Sequence, residues 1–526
     1  MCGLVYISGF KESKQLVTES LDKIIHRGPD SVILNLVGDK WLGFSRLSIV
    51  DTTSHGDQPF KKDKIHYMCN GEIYNYRHIK KSFSGFQWKS TSDCEVLIPL
   101  FEKGGIKLIV EEFDGEYACV IYNEKTDEVF AARDPMGIRP LFYGYSKKDS
   151  KICFASEVKS LVEVCSEIKP FPPGHYYLNG EMKSFLDLSE VEKFNSDSTE
   201  DMYTAIRSKL VAGVQKRMHA DVEIGYLLSG GLDSSLVCSI AAMHSDKPIR
   251  TFGIGMSEDA IDLKYAKEVA DFIKSDHTEV IITREDVLKA VSEVIKSLES
   301  WDITTVRASL GMYLICKHIK DKTDIKVLMT GEVSDEIFGY KYTDFAPSPS
   351  EFQKEAQKRV KELYLYDVLR ADRCISAHSL EARVPFSDTD FVQYVMAIDP
   401  KVKMNTYGQG KYILRKAFEG DYLPDSILYR EKAAFSDAVG HSLVDCIKEY
   451  AESLYGDEEY KMKCKMFTHG TPFTKESLMY RGIFESFYPG NSSLIPSFWM
   501  PNKEWENCDV QDPSARVLPN YGLSGS

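Results

Sequence analysis

A chain of 526 residues, 43% of them hydrophobic, is long enough to bury more than one core. Its formal charge of −14 argues against nucleic acid and anionic membrane as general partners and favours small-molecule substrates. Twelve cysteines without a CxxC pair or a Cys/His cluster at zinc spacing suggest neither a structural metal nor a disulfide framework; with no signal-like N-terminus and no apolar stretch of about 18 residues, a soluble cytoplasmic protein is expected.

The chain opens Met1-Cys2-Gly3. Removal of Met1, which a small second residue permits, sets the Cys2 thiol beside its own α-amine. With ordinary pKa values of about 8.5 and about 8, the amine can take the thiol proton near neutrality, so that Cys2 attacks a carbonyl without a histidine base. His26-Arg27-Gly28-Pro29-Asp30, Arg46 to Asp51, Gly56-Asp57-Gln58-Pro59, Asn70-Gly71-Glu72-Ile73-Tyr74-Asn75 and Ser92-Asp93-Cys94-Glu95 follow in order. Together with Cys2-Gly3 these segments resemble the class II glutamine amidotransferase domain. The resemblance implies an N-terminal-nucleophile (Ntn) hydrolase, an αββα sandwich of helices around two antiparallel sheets. It also implies roles: Cys2 attacks the amide of glutamine, the Asn70 side chain and Gly71 N–H hold the oxyanion, Arg46 takes the substrate α-carboxylate, and Asp93 with Glu72 takes its α-ammonium. Singly, Arg46 reads as an ion pair, Asn70-Gly71 as a hairpin turn and Asp93 as a helix cap.

Phe113 to Tyr122 and Val129 to Leu141 read as sheet core, with Arg133-Asp134 a structural ion pair and His175 a structural histidine in a Pro/Gly turn. From Asp187 to Asp201 the chain turns acidic and Ser/Asn-rich, a linker signal that closes a first domain at 2–190 and starts a second at 200–526.

In the second domain Met202 to Arg217 has helical periodicity, and the apolar run Val222 to Leu228 predicts a buried strand. Ser229-Gly230-Gly231 then forms a turn into a helix carrying Leu236, Val237, Ile240 and Ala241. Adjacent glycines let the backbone approach an anion, while serine hydroxyls and free N–H groups at the helix N-terminus supply donors. No Gly-Lys-Ser/Thr follows, which excludes a Walker A loop. SGGLDSS resembles the pyrophosphate loop of the ATP pyrophosphatases, implying ATP as co-substrate, contacts from Leu227, Ser229, Gly230, Gly231, Asp233 and Ser234, and Mg2+ on Asp233. Strands at Ile249–Gly255, His277–Ile282 and Ile325–Met329, alternating with helices at Lys264–Ile273 and Arg284–Leu298, predict an α/β domain with a parallel sheet whose strand ends bind ligand. Leu227 and Ile254 would flank the adenine. Arg307, in the helix opened by Asp302, reads either as a phosphate ligand or as a solvated arginine.

Thr330-Gly331-Glu332-Val333-Ser334-Asp335-Glu336 ends the last of these strands and offers oxygen donors for a hard cation. Paired with SGGLDSS, it resembles the glutamine-hydrolysing asparagine synthetases, as do Arg373, Glu381 to Phe386, Lys411 in Gly410 to Arg415, Lys432, Trp499-Met500-Pro501 and Asp512 to Arg516. That family implies glutamine, aspartate and ATP as substrates, Thr330 and Gly331 at the nucleotide, Asp335 sharing Mg2+ with Asp233, Glu332 as proton acceptor, Lys432 against charge on the departing pyrophosphate or the adduct, and a homodimer. The chain departs from the pattern where Val333, Ser379 and Tyr340 stand for glycines, Ser387 for leucine and Ala433 for glutamate. Valine at 333 implies either an ordinary backbone with φ < 0 or a displaced loop. Rival readings are an amide-forming enzyme like the β-lactam synthetases, opposed by Cys2, and a binding or storage protein, opposed by the intact polar residues.

Overall fold

The computed structural model describes residues 1–256, 260–431 and 441–522. The chain forms two compact units, the first comprising Met1–Asp187 with Ala220–Glu223 and Ile375–Glu381, the second the remainder.

In the first unit the strands are β1 (Gly3–Ser8), β2 (Ser31–Val37), β3 (Lys40–Arg46), β4 (Phe60–Lys62), β5 (Ile65–Ile73), β6 (Gly115–Asn123), β7 (Glu128–Arg133), β8 (Phe142–Ser146), β9 (Ile152–Ala155), β10 (Cys165–Pro170), β11 (His175–Leu178) and β12 (Glu181–Ser184). They make two antiparallel six-stranded sheets, ordered β10-β8-β9-β1-β3-β2 and β12-β11-β7-β6-β5-β4. Leu4, Tyr6, Leu42 and Phe44 of the first sheet meet Met68, Val120 and Ala131 of the second in one core. Helix Lys14–Asp22 lies against β1 and β3, and helix Leu97–Glu112 against β7 and β11. β1 and β3 are therefore covered on both faces and buried at every residue, so they lack the alternation of a half-exposed strand. Edge strand β2 mixes exposed and partly buried positions. Arg133 and Asp134 both tie down the turn after β7: Arg133 donates to the carbonyls of Gly137, Arg139 and Phe171, and Asp134 accepts from the amides of Met136, Ile138 and Arg139.

The acidic linker ends at Ser198, whose hydroxyl caps helix Thr199–Arg217 by accepting from Asp201 N–H. Next come β13 (Ile224–Leu227), β14 (Arg250–Gly255), β15 (Asp276–Ile281), β16 (Val327–Met329) and β17 (Glu381–Arg383), in the sheet order β15-β14-β13-β16-β17. The pairs β13/β14, β14/β15 and β13/β16 are parallel. Helices Leu232–Met243, Ile261–Ile273, Arg284–Leu298 and Ile303–Lys322 alternate with them, the expected elements with bounds moved by a few residues at most. The chain runs from β13 outward to β15 and then returns to β16 on the other side of β13. Strand order thus reverses at β13, and a crevice opens at the carboxyl ends of β13 and β16. No described helix is long and apolar enough to cross a membrane.

Candidate active site

In the first unit the Cys2 backbone N–H donates to Asn70 Oδ1 at 2.9 Å, and its half-buried thiol lies 3.8 Å from the Leu47 carbonyl. Arg27 fixes the same residue from behind, donating to the Cys2 carbonyl at 2.8 Å and to Glu157 at 2.6 Å. Burial pushes the Cys2 thiol up, while the neighbouring amine and the Leu47 carbonyl contact oppose this. The Met1 amine, 3.8 Å from Glu381, is lowered to about 5 because it is buried. Asn70 and Gly71 lie within β5 and not in a hairpin turn. With Oδ1 engaged, Asn70 Nδ2 is buried with no hydrogen-bond partner among the described residues, a donor left over for a ligand. Gly71 is required by close packing, since a Cβ there would come within 2.6 Å of the Glu116 carbonyl on β6.

Asp93 accepts from Ile73 N–H at 2.8 Å, which brings it to the end of β5 beside Gly71 and Glu72; it makes no helix-cap bond. Burial raises its carboxyl. Arg46 is buried, and it is not the open fork that a substrate carboxylate would meet. Nη1 donates to the Thr53 carbonyl at 2.6 Å and to Asp57 at 2.9 Å, and Nη2 to the carbonyls of Val50 and Asp51. Gly56 makes room for it, since a Cβ would sit 2.1 Å from Nη2. An incoming carboxylate has to share this guanidinium with the loop.

In the second unit a cavity of about 260 Å³ opens at the β13/β16 crevice. Leu227, Phe252, Ile254, Met312 and Ile315 form an apolar part suited to a flat base; the rest is polar. Ser229, Gly231, Asp233, Ser234, Thr330 and Gly331 also line it. Gly230 has φ +71, and a Cβ would lie 2.5 Å from Ala266 N, so only glycine serves in this turn. Helix Leu232–Met243 starts at Gly231 with no side-chain cap, leaving its first N–H groups toward the loop. Ser229 and Ser234 hydroxyls are 2.9 Å apart. Gly331 lets the second loop touch the first, since a Cβ would come within 2.7 Å of Ser234 N. Thr330 Oγ1 is buried and has no hydrogen-bond partner among the described residues.

That contact of loops brings Asp233 and Asp335 together. Lys411 Nζ lies 2.8 and 2.9 Å from the two Asp233 oxygens, 2.6 Å from Asp335 Oδ1 and 3.0 Å from Ser334 Oγ. The Asp335 contact is one of charge, without hydrogen-bond direction. Ser334 Oγ donates to Asp233 Oδ1 at 2.7 Å. Glu332 pairs with Arg370, which also holds Asp367 at 3.0 Å. Burial, with Asp367 and Asp335 alongside, pushes Glu336 well up. Val333, between these groups, has φ +83 and ψ −24. The loop thus keeps the conformation a glycine would take, and the first alternative, φ < 0, is ruled out. Ser379, another position where the family has glycine, also lies at φ +57.

Residues 1–196 match the family model described as Glutamine amidotransferase domain, and residues 205–349 and 343–515 match the one described as Asparagine synthase. The chain is 40% identical over 563 residues to the glutamine-hydrolyzing asparagine synthetase of Gallus gallus, covering 99% of each chain. It is 38% identical to that of Homo sapiens, again over 99% of each, and 39% identical to a probable one of Acanthamoeba polyphaga mimivirus, over 99% of this chain and all of that one. The chain belongs to the glutamine-hydrolysing asparagine synthetases.

Within this asparagine synthetase framework, Arg307 is neither solvated nor free for phosphate. It is buried, with Glu476 and Asp512 on its guanidinium and Ser514 Oγ at 2.9 Å. Lys432 and Ala433 lie outside the described residues. Sequence reasoning gave no role to Lys411 or to the Asp367/Arg370 pair; only the three-residue spacing of Asp367 and Arg370 on one helix face was visible. Asp233, Asp335 and Ser334 are oxygen donors around one point, which suits a hard cation completed by phosphate oxygens and water. Among the described residues no group of three or more His, Cys, Asp or Glu side chains could hold a metal ion alone.

Proposed function

We propose that the first unit hydrolyses glutamine at Cys2 and that the second adenylates aspartate with ATP and joins the released ammonia to it, giving asparagine, glutamate, AMP and pyrophosphate. The observation that carries the reading is the pairing of Asn70: one end orients Cys2 and the other is a buried unused donor. After loss of Met1 the nitrogen held by Asn70 is the α-amine, placed to take the thiol proton as sulfur attacks the amide carbon. Asn70 Nδ2 and Gly71 N–H receive the oxyanion, whose collapse, with the thiol proton handed from the α-amine to the leaving nitrogen, expels ammonia and leaves a glutamyl thioester on Cys2 that water hydrolyses to glutamate. Asp93 and Glu72 attract the substrate ammonium, and Arg46 shares its guanidinium with the carboxylate.

At the second site Leu227 and Ile254 flank the adenine, while Ser229, Gly230, Gly231, Ser234, Thr330 and Gly331 cradle the phosphates. The aspartate β-carboxylate attacks the α-phosphorus and pyrophosphate leaves. When bound, Mg2+ on Asp233 and Asp335 would neutralise charge on that leaving group. Ammonia then attacks the acyl carbon, Glu332 takes a proton from the adduct, and AMP departs; Lys432 would neutralise the pyrophosphate. A cytoplasmic location accords with twelve free cysteines, and a homodimer is expected of the family.

Cys2→Ala tests the division of labour: glutamine-dependent synthesis should disappear while asparagine formation from added ammonia persists. Equal loss of both would overturn it. Mass spectrometry should find AMP and pyrophosphate formed in step with asparagine; ADP and phosphate would refute the reading of the nucleotide site.

A further inference from the structure

We propose that Lys411 is an exchangeable counter-ion that reserves the cation position between Asp233 and Asp335 until nucleotide arrives. The inference rests on the reading that these carboxylates share a divalent metal. Its basis is geometric: one ammonium touches both carboxylates and Ser334 Oγ, all within 3.0 Å, at the point where their oxygens converge. Lys411 is buried, as is Asp233. Two carboxylates brought this close repel each other unless a cation stands between them, and the lysine supplies it.

The backbone of Lys411 is held at its place. It caps the short helix Tyr412–Ala417 at φ +56, and Arg415, one turn further on, grips the Gly410 and Leu428 carbonyls. An exchange therefore takes place in the side chain alone. A divalent ion arriving by itself would have to push a buried ammonium away from the two carboxylates and the Ser334 hydroxyl that hold it, which is costly. ATP changes that balance, because its phosphates present anionic oxygens to the ammonium in the same cavity. Lys411 then trades carboxylate for phosphate as the metal takes the carboxylates. The lysine makes metal binding conditional on nucleotide and keeps Asp233 and Asp335 at metal-binding separation beforehand.

The experiment uses the full chain and Mn2+ as a spin probe read by electron paramagnetic resonance. Wild type should bind Mn2+ with ATP and at least about tenfold more weakly without it. Lys411→Met should bind Mn2+ without nucleotide at least about tenfold more tightly than wild type, and adding Asp233→Asn should abolish that gain. Lys411→Arg, which keeps the charge, should behave as wild type. Lys411→Gln offers a second neutral variant that can still donate to both carboxylates if the methionine variant does not fold. Neutral variants that bind Mn2+ no better than wild type, while wild type binds Mn2+ with ATP through Asp233, would overturn the exchange and leave the metal reading standing. Mn2+ binding with ATP that is indifferent to Asp233→Asn would overturn the metal reading, and the exchange with it.

Discussion

Val333 holds a β-branched side chain at φ +83, where such residues carry about 1–3 kcal/mol of strain. The surrounding acidic loop imposes it: Gly331 on one side is pinned against Ser234, and on the other Ser334 is hydrogen-bonded to Asp233. Val333→Gly should raise stability by about 1 kcal/mol once the extra freedom of glycine in the unfolded chain is set against the relief, with Val333→Ala in between. Because the backbone already has the shape a glycine would take, the substitution leaves Glu332 where it is, and ammonia-dependent synthesis should change by less than about threefold. Thermal unfolding and ammonia-dependent assays check both. Asn70 is a second residue whose chemistry is separable. Asn70→Asp keeps the oxygen that holds Cys2 but removes the unused donor. It should lower glutaminase kcat by about 10²–10³, leaving synthesis from ammonia unchanged in a parallel assay.

Two strand ends and the loops on them make the second site, and each loop depends on a glycine. Gly331→Ala would drive a Cβ into the backbone at Ser234, a neighbour that is not a flexible side-chain end. The loop after β16 must then retreat, separating Asp335 from Asp233. Since roughly 1 Å of misplacement can cost on the order of a hundredfold, pyrophosphate release with aspartate and ATP should fall by about that factor while glutamine hydrolysis is untouched. Helix Ile303–Lys322 is set in place by Asp302, which caps it through Thr305 N–H at 2.8 Å and also takes Trp499 N–H at 2.7 Å. One carboxylate thus starts a helix and anchors the C-terminal segment at Trp499 to it.

At the scale of the second unit, the buried charges join distant segments. Arg307 gathers Glu476 of helix Lys475–Phe487 and Asp512 of the C-terminal segment. Burial opposes ionisation of Asp512, but bonds from Arg307, Lys448 and Ser514 N–H hold its carboxyl far below the ordinary 3.8. A depressed carboxyl contributes stability that is fully present above the unfolded value and is lost as pH falls below it. Asp512→Asn should therefore cost about 3 kcal/mol near neutrality, by leaving Arg307 short of a partner, and should flatten the loss of melting temperature below pH 3.8. Melting curves of both proteins across that range decide it.

Much of this organisation is legible in the chain because its signals are local. Cys2 at the second position, the Gly-Gly turn before a helical repeat, the acidic linker ending in a helix cap, and strands alternating with helices are each written within a few consecutive residues. They suffice for the parallel sheet and for the helices that alternate with its strands. The partners of the charged groups were not legible. Lys411 meets Asp233 across 178 positions and Arg307 meets Glu476 across 169, distances over which no periodicity or capping rule operates. The same holds for Arg46, which the resemblance assigns to the substrate carboxylate and the folded loop surrounds with carbonyls. Nor could sequence decide the backbone at Val333, because valine by itself prefers φ < 0 and only the packing of two loops holds it at φ > 0. Local residue order determined which chemistry this protein carries; sheet order, by bringing the ends of β13 and β16 side by side, decided which groups face one another.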